Sequence, residues 1–134
     1  MNRKVVFQPC IVIDFSRNRI RIFKNAFRAV GNPEYFLLLI NPEERTIAIL
    51  PSDSSDKRSH RTTKDAIDRH QSYELYSRPL LQSLLKMSDS WHPMQAYRLH
   101  GEIINGQAIV KFSMDNFYSI RELSPGVYGG ENDI

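Results

Sequence analysis

Residues 11–24, IVIDFSRNRIRIFK, carry a two-residue alternation that a single turn interrupts. The first five of them place two isoleucines and a phenylalanine on one side, which is typical of a half-buried strand. Ser-Arg-Asn at residues 16–18 is a turn sequence, and the alternation then resumes with Arg19 and Arg21 on one side and two isoleucines on the other. This segment predicts a β-hairpin whose isoleucines face a core and whose arginines face outward together.

Short elements separated by turn residues flank this hairpin within the first half of the chain. β-branched and aromatic residues predict a strand at residues 5–7, and two later apolar runs predict a second hairpin. Between the hairpins we expect a short helix, because Asn25 can cap its first turn and Gly31 can end it. The predicted bounds are residues 26–30 for the helix and residues 35–40 and 46–50 for the strands, the second of which Pro51 stops.

The second half of the chain follows a polar segment and ends in the strongest hairpin signal of the sequence. Residues 52–65 are mostly too polar to bury, so we interpret them as an exposed connector. Asn105 and Gly106 suit a tight turn that needs positive φ angles, which predicts a hairpin around them. The other predicted elements are a strand at 72–76, a helix at 79–87 that Ser77 caps, hairpin strands at 97–103 and 107–112, and a frayed tail at 124–134.

Both halves repeat the order strand, helix, hairpin, which suggests an internal repeat. Residues 73–75 (YEL) take the place of residues 20–22 (IRI), although identities between the halves are few. A chance recurrence of this order in an α+β domain is the alternative. We predict one domain, residues 1–134, of the α+β class and mainly β, whose halves 5–51 and 66–120 are related by a pseudo-twofold axis and share a barrel-like core.

The composition is that of an ordinary soluble globular protein. The chain has 134 residues, of which 41% are hydrophobic and 25% charged, enough for a core without disulfides. A disulfide-dense miniprotein, a collagen-like rod and a disordered tail are therefore excluded. Cys10 is the single cysteine, and we interpret it as a small buried hydrophobe in a reducing compartment. No apolar run approaches the roughly 20 residues of a membrane span and no secretory signal opens the chain, so we expect a cytoplasmic protein.

Positive charge is concentrated near the amino end of the chain. The formal net charge is +3, but residues 1–30 hold seven basic residues against a single acidic residue, Asp14. A concentrated positive field is what phosphate binding requires. The alternative is a solvated face whose cations only maintain solubility.

Residues 13–24 resemble the opening of AbrB-type and especially MraZ-type swapped-hairpin domains, with a strand, an aspartate, a turn containing arginine, an Ile-x-Ile strand and a short helix. The resemblance implies a β-barrel of interleaved hairpins, dimeric with one copy per chain and pseudo-dimeric with two. It also implies a DNA-binding transcriptional regulator. The family's Asp-x-x-x-Arg motif is not kept here, since Asn18 stands at the arginine position after Asp14 and Ser72 at that position after Asp68.

Five residues of the first hairpin and its helix are the candidate DNA contacts. Arg19 and Arg21 lie roughly 7 Å apart on one strand face, close to the spacing of successive phosphates. Arg17 and Asn18 at the turn can enter a groove, because arginine reads guanine and asparagine reads adenine. Lys24 adds a backbone contact. This interpretation requires guanidinium groups that carboxylates of the same chain do not engage.

The sequence contains no pattern typical of a catalytic, metal or nucleotide site. Its four histidines lack zinc-ligand spacing, and no glycine-rich phosphate loop occurs. We therefore expect a non-enzymatic protein without metal or cofactor, which binds double-stranded DNA and forms a homo-oligomer. An alternative is an adaptor or inhibitor of mobile-element origin that binds a partner protein through the aromatic-rich second half, with Trp91 and Tyr97 in the interface.

Overall fold

The computed structural model describes residues 8–120, which form eight strands and three α-helices. The first half contains β1 (Cys10–Asp14), a 3-10 turn (Phe15–Arg17), β2 (Arg19–Phe23), α1 (Lys24–Ala29), β3 (Tyr35–Asn41) and β4 (Thr46–Ser52). The second half contains β5 (His60–Arg61), α2 (Lys64–His70), β6 (Ser72–Tyr76), α3 (Arg78–Met87), β7 (Ala96–Ile103) and β8 (Val110–Ile120). The strand predicted at 5–7 and the tail predicted at 124–134 lie outside the described residues.

All eight strands belong to one sheet with antiparallel pairing, so the prediction of a mainly β protein is confirmed. The strand order is β5-β3-β4-β8-β7-β1-β2-β6, and the sheet curls into a half-barrel. The two hairpins predicted in the first half are confirmed as β1–β2 and β3–β4. Because β4 pairs with β8 and β2 pairs with β6, the two halves of the chain share one sheet.

The isoleucines that were predicted to face inward form the centre of the core. Ile11 and Ile13 of β1 and Ile20 and Ile22 of β2 are fully buried. Burying each such side chain contributes about 1.5–3 kcal/mol to the free energy of unfolding. Helices cover this face of the sheet, adding Phe27 from α1 and Leu81 and Leu84 from α3 to the same cluster.

Gly101 lies beside an irregularity in the β7–β8 ladder. The register of the two strands shifts between Leu99 and Gly101. A Cβ atom on Gly101 would lie 2.5 Å from Val110 Cγ1 and 2.7 Å from the nearest atom of the Phe112 ring. The close approach of these two strands therefore depends on the absence of a side chain at this position.

The hairpin predicted around Asn105 and Gly106 is confirmed, but its connection is wider than a tight turn. Gly106 has a φ of +73°, whereas Asn105 does not adopt a positive φ. The Ile104 N–H donates to the Ile109 carbonyl at 2.9 Å, which closes the loop ahead of β8. The second strand consequently begins at Val110, three residues later than predicted.

Pro51 lies inside β4, so the prediction that it ends this strand is wrong. Phe36 is its register partner on β3, and β8 pairs with β4 only between Thr46 and Ile49. The nitrogen of Pro51 therefore faces a stretch where β4 has no strand partner within the described residues. A proline costs no ladder hydrogen bond at such a position.

The helices differ from prediction in two places. α1 begins at Lys24 with Phe23 at its N-cap, so Asn25 is not the cap. The predicted connector 52–65 contains β5 and the first residues of α2, neither of which was expected. α3 matches its prediction, and the Ser77 side chain accepts a hydrogen bond from the Leu80 N–H at 3.3 Å. Within residues 8–120, every helix is too short or too polar to cross a membrane.

Candidate nucleic-acid interface

Four arginines converge on the outer face of the sheet, around a groove of about 390 Å³. Val12 of β1 pairs in register with Arg21 of β2 on one side and with Arg98 of β7 on the other. These three side chains therefore form a row across the sheet, and Arg19 belongs to the next row. We use the name arginine groove for the surface formed by Arg17, Arg19, Arg21 and Arg98 around Asp14.

Asp14 is a buried carboxylate at the base of the arginine groove, with only 4% of its surface exposed. It accepts hydrogen bonds from Ser16 Oγ at 2.7 Å and from Arg17 Nη1 at 2.9 Å. Burial alone would raise the pKa of Asp14, but these hydrogen bonds and the charges of Arg17 and Arg19 outweigh it and lower the pKa below its ordinary value. Asp14 is thus an ionised group that holds the turn arginine in place.

Glu74 of β6 engages the two strand arginines. It accepts from Arg21 Nε at 3.1 Å and Nη2 at 2.6 Å, and it lies 3.3 Å from Arg19 Nη1. The hydrogen bond from Arg21 is the main cause that lowers the pKa of Glu74. Arg19 Nε is buried without a hydrogen-bond partner among the described residues, 3.7 Å from Asp14.

Arg19 and Arg21 are therefore not the free cationic ridge that the sequence predicts. Both lie on the outer face of the sheet, as expected, but their side chains are only 18% and 35% exposed. The prediction that they point freely into solvent is wrong, because the strand pairing places Glu74 directly opposite Arg21. Their role in binding DNA stays a prediction, since this geometry assigns them an ion-pair network first.

Arg98 is a groove residue that the sequence analysis missed. It is exposed on β7, its guanidinium lies 5.7 Å from the centroid of the Phe23 ring, and no carboxylate of the described residues forms an ion pair with it. Burial raises the pKa of the neighbouring Cys10 thiol, and the charge of Arg98 reduces this increase. Alternation in β7 between Arg98 and the buried Tyr97 and Leu99 could have marked it as outward-facing.

Asn18 lies at the turn, but outside the lining of the arginine groove. It is half-buried and left-handed, with a φ of 53°. Its carbonyl accepts a hydrogen bond from the Ser77 N–H at 3.1 Å, which ties the turn to the start of α3. The prediction that its side chain reads a base therefore remains untested.

Lys24 lies in a different groove, of about 760 Å³, between α1 and α2. Its Nζ is 2.9 Å from Asp68 Oδ1. Other cations around this second groove are Arg28, Arg61 and Lys64. The structure thus brings Arg17, Arg19 and Arg21 together and leaves Lys24 apart from them.

The two aromatic residues predicted to contact a partner protein are buried. Trp91 is 7% exposed and Tyr97 2% exposed, and their rings stack at 4.5 Å. The Tyr97 hydroxyl accepts from the His92 N–H at 2.7 Å, which fixes the ring against the loop before β7. The prediction of a protein interface through these residues is wrong, because they close one end of the core.

Within residues 8–120, no three histidine, cysteine, aspartate or glutamate side chains are grouped so as to hold a metal ion. No protein-family model, curated protein or solved structure matches the chain.

Proposed function

We propose that this chain is a DNA-binding transcriptional regulator that contacts the phosphate backbone through the arginine groove. The observation that carries the proposal is the composition of the groove, which is lined by four arginines and one carboxylate, that of Asp14. With Glu74 at its border, this cluster has a net charge of +2 from four cations and two anions. A planar guanidinium can bind a phosphate with two parallel hydrogen bonds.

Arg98, which no carboxylate of the described residues engages, is the primary contact in this proposal, and Arg17, which Asp14 holds at the turn, is the second. The side chain of Arg17 is 45% exposed at the turn, and Arg98 is exposed on β7. Arg19 and Arg21 lie between them and are positioned by Glu74. We expect them to add to the field of the groove and to reach phosphates only when they exchange Glu74 for DNA.

The strand pairing supports the interpretation of the chain as two repeats of an AbrB-like or MraZ-like unit. The pair Ile40↔Ile47 of the β3–β4 hairpin corresponds to the pair Ile103↔Val110 of the β7–β8 hairpin, and both residues of the second pair lie 63 positions later in the chain. In the proposed repeat β8 is the counterpart of β4, and β6 is the counterpart of β2, and each of these strands pairs with its counterpart. Pairing of equivalent strands across a twofold axis is what a pseudo-dimeric barrel requires.

In the proposed repeat, the twofold axis passes beside the arginine groove. If residues 73–75 are the counterparts of residues 20–22, Glu74 is the counterpart of Arg21, and these two residues are also register partners. A residue that pairs with its own counterpart lies on the twofold axis. The proposed repeat thus has a basic residue in one half and an acidic residue in the other at the same position.

The proposal is tested by fluorescence anisotropy with a labelled random-sequence duplex at 50 and 200 mM salt. With about four phosphate contacts, log K falls with log salt at a slope of roughly −3.6, so affinity should drop about 100-fold over this range. The variant Arg17→Ala, Arg98→Ala should bind more weakly and reduce the slope by about 1.8.

The matched control is Arg69→Ala, Arg78→Ala, which removes the same charge from exposed arginines outside the groove. Thermal denaturation of each variant checks that it is folded. Equal losses of affinity in the two double variants, or wild-type binding that salt does not change, would contradict the proposal.

A further inference from the structure

The sheet is open along most of one edge, that of β3. β3 pairs with β4 over its whole length, from Tyr35 to Asn41, but β5 covers only Tyr35 and Phe36 on the other side. Beyond Phe36, no strand of the described residues lies next to this edge. On β7, by contrast, β1 covers five consecutive residues.

The unpaired backbone groups of this edge belong to Leu38 and Ile40. The Glu34 carbonyl accepts from the Thr62 N–H at 2.8 Å, so the backbone of Glu34 points toward β5. Because backbone direction alternates along a strand, the N–H and C=O groups of Leu38 and Ile40 point to the same side. They lie past the end of β5 and are available to another strand.

The part of this edge that β5 leaves uncovered lacks the charged residues and prolines that protect the edge strands of many monomeric proteins. Residues 35–41, YFLLLIN, contain no charge, proline or glycine. Leu39 is 36% exposed, and Leu38 and Ile40 are only partly buried against the core. The edge strand at the opposite end of the sheet, β6, carries the charged Glu74.

We propose that a second copy of this chain pairs with this edge, β3 against β3, in antiparallel orientation around a twofold axis at Leu39. Leu38 of each copy then exchanges two backbone hydrogen bonds with Ile40 of the other copy, which gives four bonds in all. The pairing joins two half-barrels into one continuous sheet and covers the exposed leucine. It is independent of DNA binding.

Charges next to the edge favour a second copy over an unrelated apolar strand. Glu43 follows the end of β3, and Lys57 precedes β5, which borders the start of β3. Both residues are exposed, and neither forms an ion pair within residues 8–120, whereas their neighbours Glu44 and Arg58 pair with Lys111 and Asp56. In an antiparallel pair the end of one β3 lies beside the start of the other, so Glu43 of each copy faces the loop that carries Lys57 of its partner.

The first test is the molar mass in solution, measured by light scattering over a concentration series without DNA. Wild-type protein should approach twice 15.6 kDa as concentration rises. Leu39→Lys places two like charges opposite each other on the axis and should weaken association at least tenfold. Tyr76→Lys introduces a lysine on the other edge strand, at a tyrosine that is 61% exposed, and should leave the dimer unchanged.

The second test locates the axis by disulfide formation. Leu39→Cys places two thiols in a pair without hydrogen bonds, where the Cα atoms are about 4.5 Å apart, and should give a cross-linked dimer on mild oxidation. Ala48→Cys is the matched control on the adjacent strand, because Ala48 is the register partner of Leu39. In the proposed dimer the Cα atoms of residue 48 in the two chains would be roughly 14 Å apart, which is too far for a disulfide.

A charge exchange gives a third, milder perturbation. Glu43→Lys should weaken the dimer, and adding Lys57→Glu should restore it at low salt. The proposal is overturned by a wild-type protein that stays monomeric up to millimolar concentration, by a dimer that Tyr76→Lys disrupts and Leu39→Lys does not, or by equal cross-linking at positions 39 and 48.

Discussion

Replacing Glu74 by glutamine should lower stability and strengthen DNA binding at the same time. The carboxylate of Glu74 accepts two hydrogen bonds from Arg21, at 3.1 and 2.6 Å, and lies 3.3 Å from Arg19. Glutamine keeps the size of the side chain and one acceptor oxygen but removes the charge. Because the side chains of Arg21 and Glu74 are about one third exposed, the free energy of unfolding should fall by about 1 kcal/mol, which lowers Tm by about 4 °C.

The gain in binding follows from the two guanidinium groups that the substitution releases. Because DNA then no longer has to displace the Glu74 carboxylate from these groups, affinity should rise about fivefold at 0.1 M salt, which corresponds to the roughly 1 kcal/mol that the ion pairs contribute. The assay is anisotropy with the same duplex, together with thermal denaturation. Glu102→Gln is the control, because it removes one negative charge from an exposed residue that forms no ion pair within the described part of the chain.

The reasoning fails if Glu74→Gln binds DNA no more tightly than Glu102→Gln does. A less stable variant with unchanged affinity would mean that Arg19 and Arg21 serve the fold alone. In that case Arg19 and Arg21 would not be phosphate contacts, and only Arg17 and Arg98 would remain as the contacts that the proposed function needs.

Three further predictions concern the core and the groove. Gly101→Ala should lower the free energy of unfolding by about 2 kcal/mol in a urea titration, because its Cβ would lie 2.5 Å from Val110 Cγ1. Adding Val110→Ala should recover part of this loss. Strictly additive losses from the two substitutions would contradict the clash. The pKa values of Asp14 and Glu74 lie below their ordinary values of 3.8 and 4.5. Both carboxylates therefore add to the free energy of unfolding when the pH is above these ordinary values, and this addition is lost as the pH falls through the lowered pKa. A free energy of unfolding that stays constant between pH 5 and pH 2 would contradict this. Burial raises the pKa of the Cys10 thiol, so a thiol reagent at pH 7 should label it only on unfolding, and rapid labelling of folded protein would disprove the burial.

The alternation of residues predicted the strands and their inner faces because it is a local property. Ile20 and Ile22 are buried, and Arg19 and Arg21 face the other side of the sheet, as the alternation requires. The turn at residues 16–18 and the helix capped by Ser77 were also predictable, since their signals lie within a few residues. Local pattern thus predicted most of the elements and their order.

The partners of the charged side chains were not predictable, because they depend on long-range register. Arg21 and Glu74 are 53 residues apart in sequence, and only the pairing of β2 with β6 brings them together. Arg98 enters the groove because β7 lies next to β1, which no local pattern indicates. α2 was missed since Ile67 is its single buried residue, too little for an apolar stripe.

The salt bridge between Arg21 and Glu74 has a consequence for how such a chain can evolve. Two identical subunits around a twofold axis must place the same residue on both sides of it, so arginine would face arginine or glutamate would face glutamate. If the halves arose by duplication, a covalent link between them allowed one copy to change its charge while the other kept it. Two identical subunits cannot form that ion pair across their axis, so each half, if it were paired with a second copy of itself, would again place like charges opposite each other.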